Sequence, residues 1–234
     1  MNKSIVFNWI ACFFVCSLNA QIAQNNNATL GTLNDLGFFV EVNNSKYAGA
    51  EGSKYLFDEF VPAKINQVKT SHAVRFDVVD NIIEFKDSER ETKGLSAEKE
   101  YSIVLQDGSS RVFVTKKFID DYGKSSNTFF EKMYANEYFE LFKKERIKFQ
   151  EAKPAKSSYE PEKPAKFVGL PDAFYLDFKD DNSEELVKIP RKRKKLKEFF
   201  GKEYPSIEKF AKKNDLDFDS ATHLVKIINH YIEL

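Results

Sequence analysis

Residues 52–86 read GSKYLFDEFVPAKINQVKTSHAVRFDVVDNIIEFK, the first stretch in which apolar residues recur at every second position. Val74, Phe76 and Val78 share one face of an extended segment, with Arg75 and Asp77 on the other. After the turn pair Asp80-Asn81, Ile83 and Phe85 resume the alternation, which predicts a β-hairpin at the start of the core.

Downstream, Asp87 to Lys99 is charged and contains Gly94, which predicts a solvated loop at a strand end. Tyr101 to Leu105 and Arg111 to Thr115 flank Gln106-Asp107-Gly108, a second hairpin signal. Between Phe129 and Gln150 the aromatic spacing fits a helical stripe through Phe130, Met133, Tyr134, Tyr138, Leu141 and Phe142 as well as it fits strands. Strands are the better reading, because Ala135-Asn136-Glu137 separates two aromatic runs and Ile147 and Phe149 alternate about Lys148. Residues 151–167 carry KPAK twice, at Lys153 and Lys163, with Pro161 between them. Prolines cannot donate to a ladder, so this Pro/Lys-rich stretch reads as an extended, exposed connection, and Pro161 to Pro164 matches a minimal PxxP pattern. Phe174 to Phe178 and Glu184 to Ile189 read as a last hairpin.

From Pro190 the apolar period changes from two to about 3.6. Leu196, Phe199 and Phe200 form one side of a short helix ended by Gly201, and Pro205 opens a second with Ile207, Phe210 and Ala211 inward. Asp219 is the expected cap of a third, whose apolar residues are Ala221, Leu224, Val225, Ile228, Tyr231 and Ile232.

Upstream, Leu36 to Val42 is a first strand and residues 21–34 are a polar, Asn-rich lead-in. Residues 1–20 have the parts of a secretory signal: Lys3, an apolar run from Ile5 to Leu18, and Leu18-Asn19-Ala20 before Gln21. Cleavage between Ala20 and Gln21 places the chain outside the cytoplasm, in the periplasm or the extracellular space. The bulk of Phe14 and Val15 argues against lipidation at Cys16. The leader is shorter than a membrane helix, and no second apolar run of that length follows, so an integral membrane protein is not expected.

The division is therefore a signal peptide over 1–20, a lead-in over 21–34, a mainly β domain over 35–189 and a helical segment over 190–234. The β domain is an antiparallel meander, barrel-like or sandwich, of about nine to twelve strands. Cys12 and Cys16, the two cysteines of the chain, leave with the signal, which excludes disulfides, thiolate metal ligands and cysteine nucleophiles. The 36 basic and 36 acidic side chains balance, so no overall field draws the chain to nucleic acid. With 23 Phe and 10 Tyr against 9 Gly, the composition favours strands built on aromatic pairs over a Gly-rich phosphate cradle.

Several segments together, GSKYLFDEF at 52–60, VRFDVVDNIIEFK at 74–86, KPAKFV at 163–168 with FYLDF at 174–178, and EKFAKKNDLDFDSATHLVKIINHY at 208–231, resemble a family of uncharacterised secreted proteins of Bacteroidota. Ala20 followed by Gln21 also looks like that group's export signals. The resemblance implies a compartment and a β-rich fold with a Lys-rich helical end; it implies no catalytic or ligand residues.

The strongest local charge signal is Lys188, Arg191, Lys192, Arg193, Lys194, Lys195 and Lys197, a candidate patch for an anionic partner such as outer-membrane lipid, or simply the solvated side of a short helix. His223 and His230, seven residues apart on one helix, lie roughly 10.5 Å apart along its axis, too far to share a metal, and His72 is elsewhere. The adjacent acidic pairs Asp58-Glu59, Asp120-Asp121, Asp180-Asp181 and Glu184-Glu185 are not dyads, because neighbours on a strand point to opposite faces. No residue reads as catalytic, metal-binding or cofactor-binding. The expectation is a noncatalytic exported module that binds a protein or a cell-envelope component. The alternative is a carrier with an apolar ligand inside the β domain, and a carboxylate-dependent hydrolase ranks last.

Overall fold

The computed structural model describes residues 39–43, 45–66, 68–87, 90–120, 122–155, 161–179 and 185–234. The leader, the Ala20/Gln21 cleavage position, the lead-in, Asp121 and Asp180 to Glu184 lie outside the described residues.

In chain order the first strands are β1 (Val40–Glu41), β2 (Val61–Ile65), β3 (His72–Asp77) and β4 (Ile82–Lys86). β3 and β4 form the expected hairpin, in register Phe76 to Ile83 and Arg75 to Glu84, and Asn81 takes the left-handed conformation (φ 55°) that such a turn needs. The loop expected over Asp87 to Lys99 is corrected: it contains β5 (Thr92–Ser96), with Leu95 fully buried. Gly94 marks a close approach here. It pairs with Glu84 on one side and Val40 on the other, and a Cβ on it would lie 2.5 Å from Ile82 Cγ2 and 2.9 Å from Val40 Cγ2.

β6 (Ser102–Leu105) and β7 (Val112–Ile119) form the second hairpin, and β8 (Ser125–Ala135), β9 (Phe139–Lys144) and β10 (Ile147–Gln150) resolve the ambiguous aromatic stretch as strands. β11 (Lys166–Gly169), β12 (Ala173–Phe178) and β13 (Glu185–Lys188) complete the set. β7, β13, β12, β9 and β8 close into a five-strand barrel, and the strands β1-β5-β4-β3-β2-β6 extend from it as a curved sheet. β7 joins the two: one of its edges takes β6 at Val112–Val114 and β13 at Lys117 and Phe118. Among the described pairings between strands only β7 with β13 is parallel, and the isolated bridge of Glu51 with Lys166 on β11 is parallel too. β10 and β11 stand apart as a two-stranded arm. Its far part is the predicted Pro/Lys-rich connection, in which the two KPAK copies face each other: the Lys153 N–H donates to Lys163 O at 2.8 Å and the Lys163 N–H to Lys153 O at 2.9 Å. Each lysine precedes a proline, so it supplies the ladder bonds its neighbour lacks the N–H to make.

Strand alternation separates three cores. Phe129 and Phe130 are neighbours on β8 with opposite faces: Phe129 joins Phe76, Phe85, Ile103 and Phe113 inside the curved sheet, while Phe130 joins Phe118, Phe142 and Tyr175 inside the barrel. On β9 and β12 the barrel takes Phe142 and Tyr175, and the outer face presents Phe139, Leu141, Phe174 and Leu176 to the helices. Those are α1 (Arg193–Phe200), α2 (Tyr204–Lys213) and α3 (Ala221–Ile232); Gly201, with φ 55°, ends the first as expected. The helices thus share a core with the barrel wall, to which Ile227, fully buried, also contributes. Ser220, not Asp219, occupies the N-cap position of α3, without a side-chain cap bond; Asp219 instead holds Arg191 at 2.7 Å. Among the described residues no helix is long and apolar enough to cross a membrane.

Candidate functional site

The outer face of the β3–β4 hairpin, Arg75, Asp77 and Glu84, is the solvent face by alternation alone. It is covered instead by residues 50–58 and the arm, and Asp77 and Glu84 are 1% and 0% exposed. The loop is fixed to the arm through backbone bonds, Glu51 N–H to Ala165 O at 2.9 Å and Phe167 N–H to Glu51 O at 2.8 Å. Gly52 (φ 81°) makes the approach feasible, since a Cβ there would stand 3.4 Å from Phe167 O in a backbone conformation that disfavours side chains. Tyr47 packs its ring on Phe149 (4.8 Å) and Phe167 (5.3 Å), which ties the arm down from the other side.

Beneath the loop the buried carboxylates are paired. Lys54 Nζ lies 2.6 Å from Asp77 Oδ2 and 3.8 Å from Glu84 Oε1, and Arg75 Nη2 donates to Glu84 Oε2 at 2.7 Å. Tyr55 donates to Glu84 Oε1 (3.0 Å) and accepts from Arg75 Nη2 (2.8 Å), while the Asp77 Oδ1 accepts the backbone N–H groups of Val79 and Asp80. The Arg75 guanidinium lies between the rings of Tyr55 (3.6 Å) and Phe60 (4.5 Å). Burial pushes the Asp77 carboxyl up despite Lys54. For Lys54 burial acts downward, and the hydrogen bond and charge of Asp77, with Tyr55 and Glu84, outweigh it, so the ammonium is raised. Burial, then the Glu84 charge, raises the Tyr55 phenol, keeping it a donor.

Above this network opens a pocket of about 540 Å³ lined by Tyr47, Gly52, Ser53, Lys54, Tyr55, Asp58, Arg75 and Phe167, together with Ala50. Its rim carboxylate, Asp58, accepts from Ser53 Oγ. The cations face the pocket while the carboxylates that neutralise them lie beneath it. Such an arrangement offers rings and fixed hydrogen-bonding groups to a ligand; it does not present two acids across a cleft.

A second, smaller cleft of about 450 Å³ opens where the edge of β7 passes from β6 to β13, with Thr115, Lys116 and Lys117 on its wall and Glu98, Glu100 and Asp177 opposing the lysines. Lys116 pairs with Asp177 at 3.0 Å there.

The predicted basic patch is exposed on and before α1, except Lys188, which is half-buried. Part of it is neutralised: Arg191 by Asp219 and Arg193 by Glu208, each at 2.7 Å, while Lys197 lies 5.8 Å from the Tyr204 ring. Lys192, Lys194, Lys195 and Lys197 remain as exposed cations with no carboxylate partner among the described residues. The histidines are scattered. His72 bonds Thr70, His223 bonds Asp217, His230 stacks on Phe210 at 4.0 Å, and among the described residues no group of three His, Cys, Asp or Glu could hold a metal.

Sequence reasoning missed Tyr47, Lys54, Tyr55, Arg75 and Phe167 as a site. The hairpin register does carry one signal for it, since a turn at residues 78–81 sets Arg75 opposite Glu84. No family model matches the chain, and neither does a curated protein or a solved structure.

Proposed function

We propose that the chain is a noncatalytic, exported module that binds a protein or cell-envelope component through the pocket under the arm. The observation that supports this reading is the pairing of Lys54 and Arg75 with carboxylates buried beneath them, under a pocket walled by Tyr47, Tyr55 and Phe167. Preformed concave sites with a few fixed polar groups are where ligands bind. Hydrolysis by a carboxylate pair finds no such support, because Asp77 and Glu84 are spent as counterions. Nor does carriage inside the barrel: Phe118, Phe130, Phe142 and Tyr175 fill it with edge-to-face contacts at 5.0–6.2 Å, as side chains do in small barrels.

Co-sedimentation of the chain starting at Gln21 with purified peptidoglycan sacculi and with outer-membrane vesicles tests the reading. Saturable sedimentation with at least one fraction, reduced at least tenfold in affinity by Phe167→Ala, is the expected result. A chain that stays in the supernatant with both, or a Phe167→Ala variant that binds unchanged, overturns it.

A further inference from the structure

We infer that the ligand of the pocket under the arm is a neutral, hydroxyl-rich sugar chain, an inference that rests on the binding function proposed above. The charges around the pocket exclude the simpler alternatives. Each nearby cation already has its counter-ion: Lys46 is 2.6 Å from Asp80, Lys54 is 2.6 Å from Asp77, and Arg75 is 2.7 Å from Glu84. With Asp58 added, four carboxylates face three cations, so an anionic ligand gains no net attraction and would have to displace a buried partner. A cationic ligand fares no better. The tyrosine rings that would receive it carry the protein's own cations, Lys46 4.8 Å from the Tyr47 centroid, Lys54 5.0 Å and Arg75 3.6 Å from that of Tyr55.

A peptide strand is disfavoured by the backbone. Glu51, the residue where the loop meets the arm, spends both its N–H and its carbonyl on Ala165 and Phe167, so no ladder is left open there for a third strand. What the pocket does offer is aromatic surface from Tyr47, Tyr55 and Phe167 beside donors and acceptors together: the Ser53 and Tyr hydroxyls, the Asp58 carboxylate as acceptor, and the one Arg75 N–H not taken by Glu84, the Tyr55 hydroxyl or the Asp58 carbonyl. Sugar rings present this combination, C–H faces for the rings and hydroxyls that donate and accept in pairs. These polar groups are held by one another before any ligand arrives, which lowers the entropic cost of binding.

The test uses the chain from Gln21, whose tyrosines report binding without interference because the only tryptophan, Trp9, lies in the leader. Cellopentaose, xylohexaose, mannohexaose, laminarihexaose and N-acetylchitotetraose are titrated in turn, with dextran sulfate and tetralysine as charged comparators, by tyrosine fluorescence and calorimetry. The expected result is saturable binding of at least one neutral oligosaccharide, weakened at least tenfold by Asp58→Ala at unchanged melting temperature and by Tyr55→Phe, which also takes a donor from buried Glu84 and so lowers the melting temperature, and unaffected by Tyr122→Ser on an exposed turn. Binding to sacculi or vesicles with no affinity for any neutral sugar overturns the sugar assignment and leaves the binding function standing. Preferential binding of dextran sulfate or tetralysine, or sugar binding indifferent to Asp58 and Tyr55, overturns it too. Loss of every interaction, envelope fractions included, brings down the function as well.

Discussion

At the scale of single residues, two glycines illustrate how identical chemistry has opposite consequences. Gly94 sits where three strands converge, and the nearest atoms to an added Cβ belong to Ile82 and Val40, short β-branched side chains with little freedom to move aside. Gly169 has nothing within 4 Å of the same position. Gly94→Ala is therefore expected to destabilise the fold by about 1–3 kcal/mol. Gly169→Ala, which restricts the unfolded chain at no steric cost, should be neutral or stabilise by up to about 1 kcal/mol. Urea unfolding of both variants checks the contrast, and equal effects would contradict it. Glycine read as a loop marker in the sequence because composition records what a residue permits, not what surrounds it.

At the scale of elements, the arm is held by few contacts. Its connection to the body described above consists of the Glu51 backbone bonds and the Tyr47 ring, against a barrel in which every strand is paired on both edges along part of its length. Aromatic pairs contribute about 0.5–1.5 kcal/mol each. Tyr47→Ala removes two, so hydrogen exchange at the Lys153, Lys163 and Phe167 amides should accelerate on the order of tenfold or more, while Leu141 and Leu176 amides in the barrel exchange as before. Uniform acceleration would mean that Tyr47 supports the whole molecule rather than the arm. Most elements were legible in the sequence: both early hairpins, the strands of residues 129–150, the arm as an extended stretch and all three helices. β5 was not, because its burial comes from β4 and β1 on either side rather than from its own apolar content.

At the scale of the whole molecule, ion pairs distribute over both halves of the fold. Arg111 donates to Glu131 from two nitrogens (2.7 and 2.8 Å), and Lys143 reaches both Glu131 and Glu145. Lys132 and Lys179 hold Glu140. Burial works to raise Glu131 and Glu140, but the adjacent cations outweigh it and both end below the ordinary value of 4.5. A carboxyl lowered on folding adds stability above its unfolded pKa and loses it as pH falls through the folded one. Asp77 and Glu145, raised by burial, work in the opposite sense, their cost being relieved on acidification. The bidentate Arg111 pair makes Glu131 the stronger influence. The melting temperature should accordingly drop as pH falls below about 4.5, with a shallower slope in Glu131→Gln. Calorimetry across that range decides the matter, and an unchanged slope would remove Glu131 from the account.

The sequence by itself determined the strand periodicity, the turn positions, the switch to helices after Pro190 and the aromatic character of the interior, because these depend on neighbours a few residues apart. Alternation also separates Phe129 from Phe130, but it cannot say that one belongs to a curved sheet and the other to a barrel. Closure of that barrel, through the parallel pairing of β13 with β7, was decided by tertiary structure alone. So was the pocket under the arm. Arg75, Asp77 and Glu84 occupy outward positions of an ordinary hairpin, and their environment is set by Tyr47, Lys54 and Phe167 from segments as far as 92 residues from Arg75 in the chain. Charge in an outward position is stable whether it meets water or a partner of opposite sign; only the folded chain brings that partner within 3 Å and gives the position its chemistry.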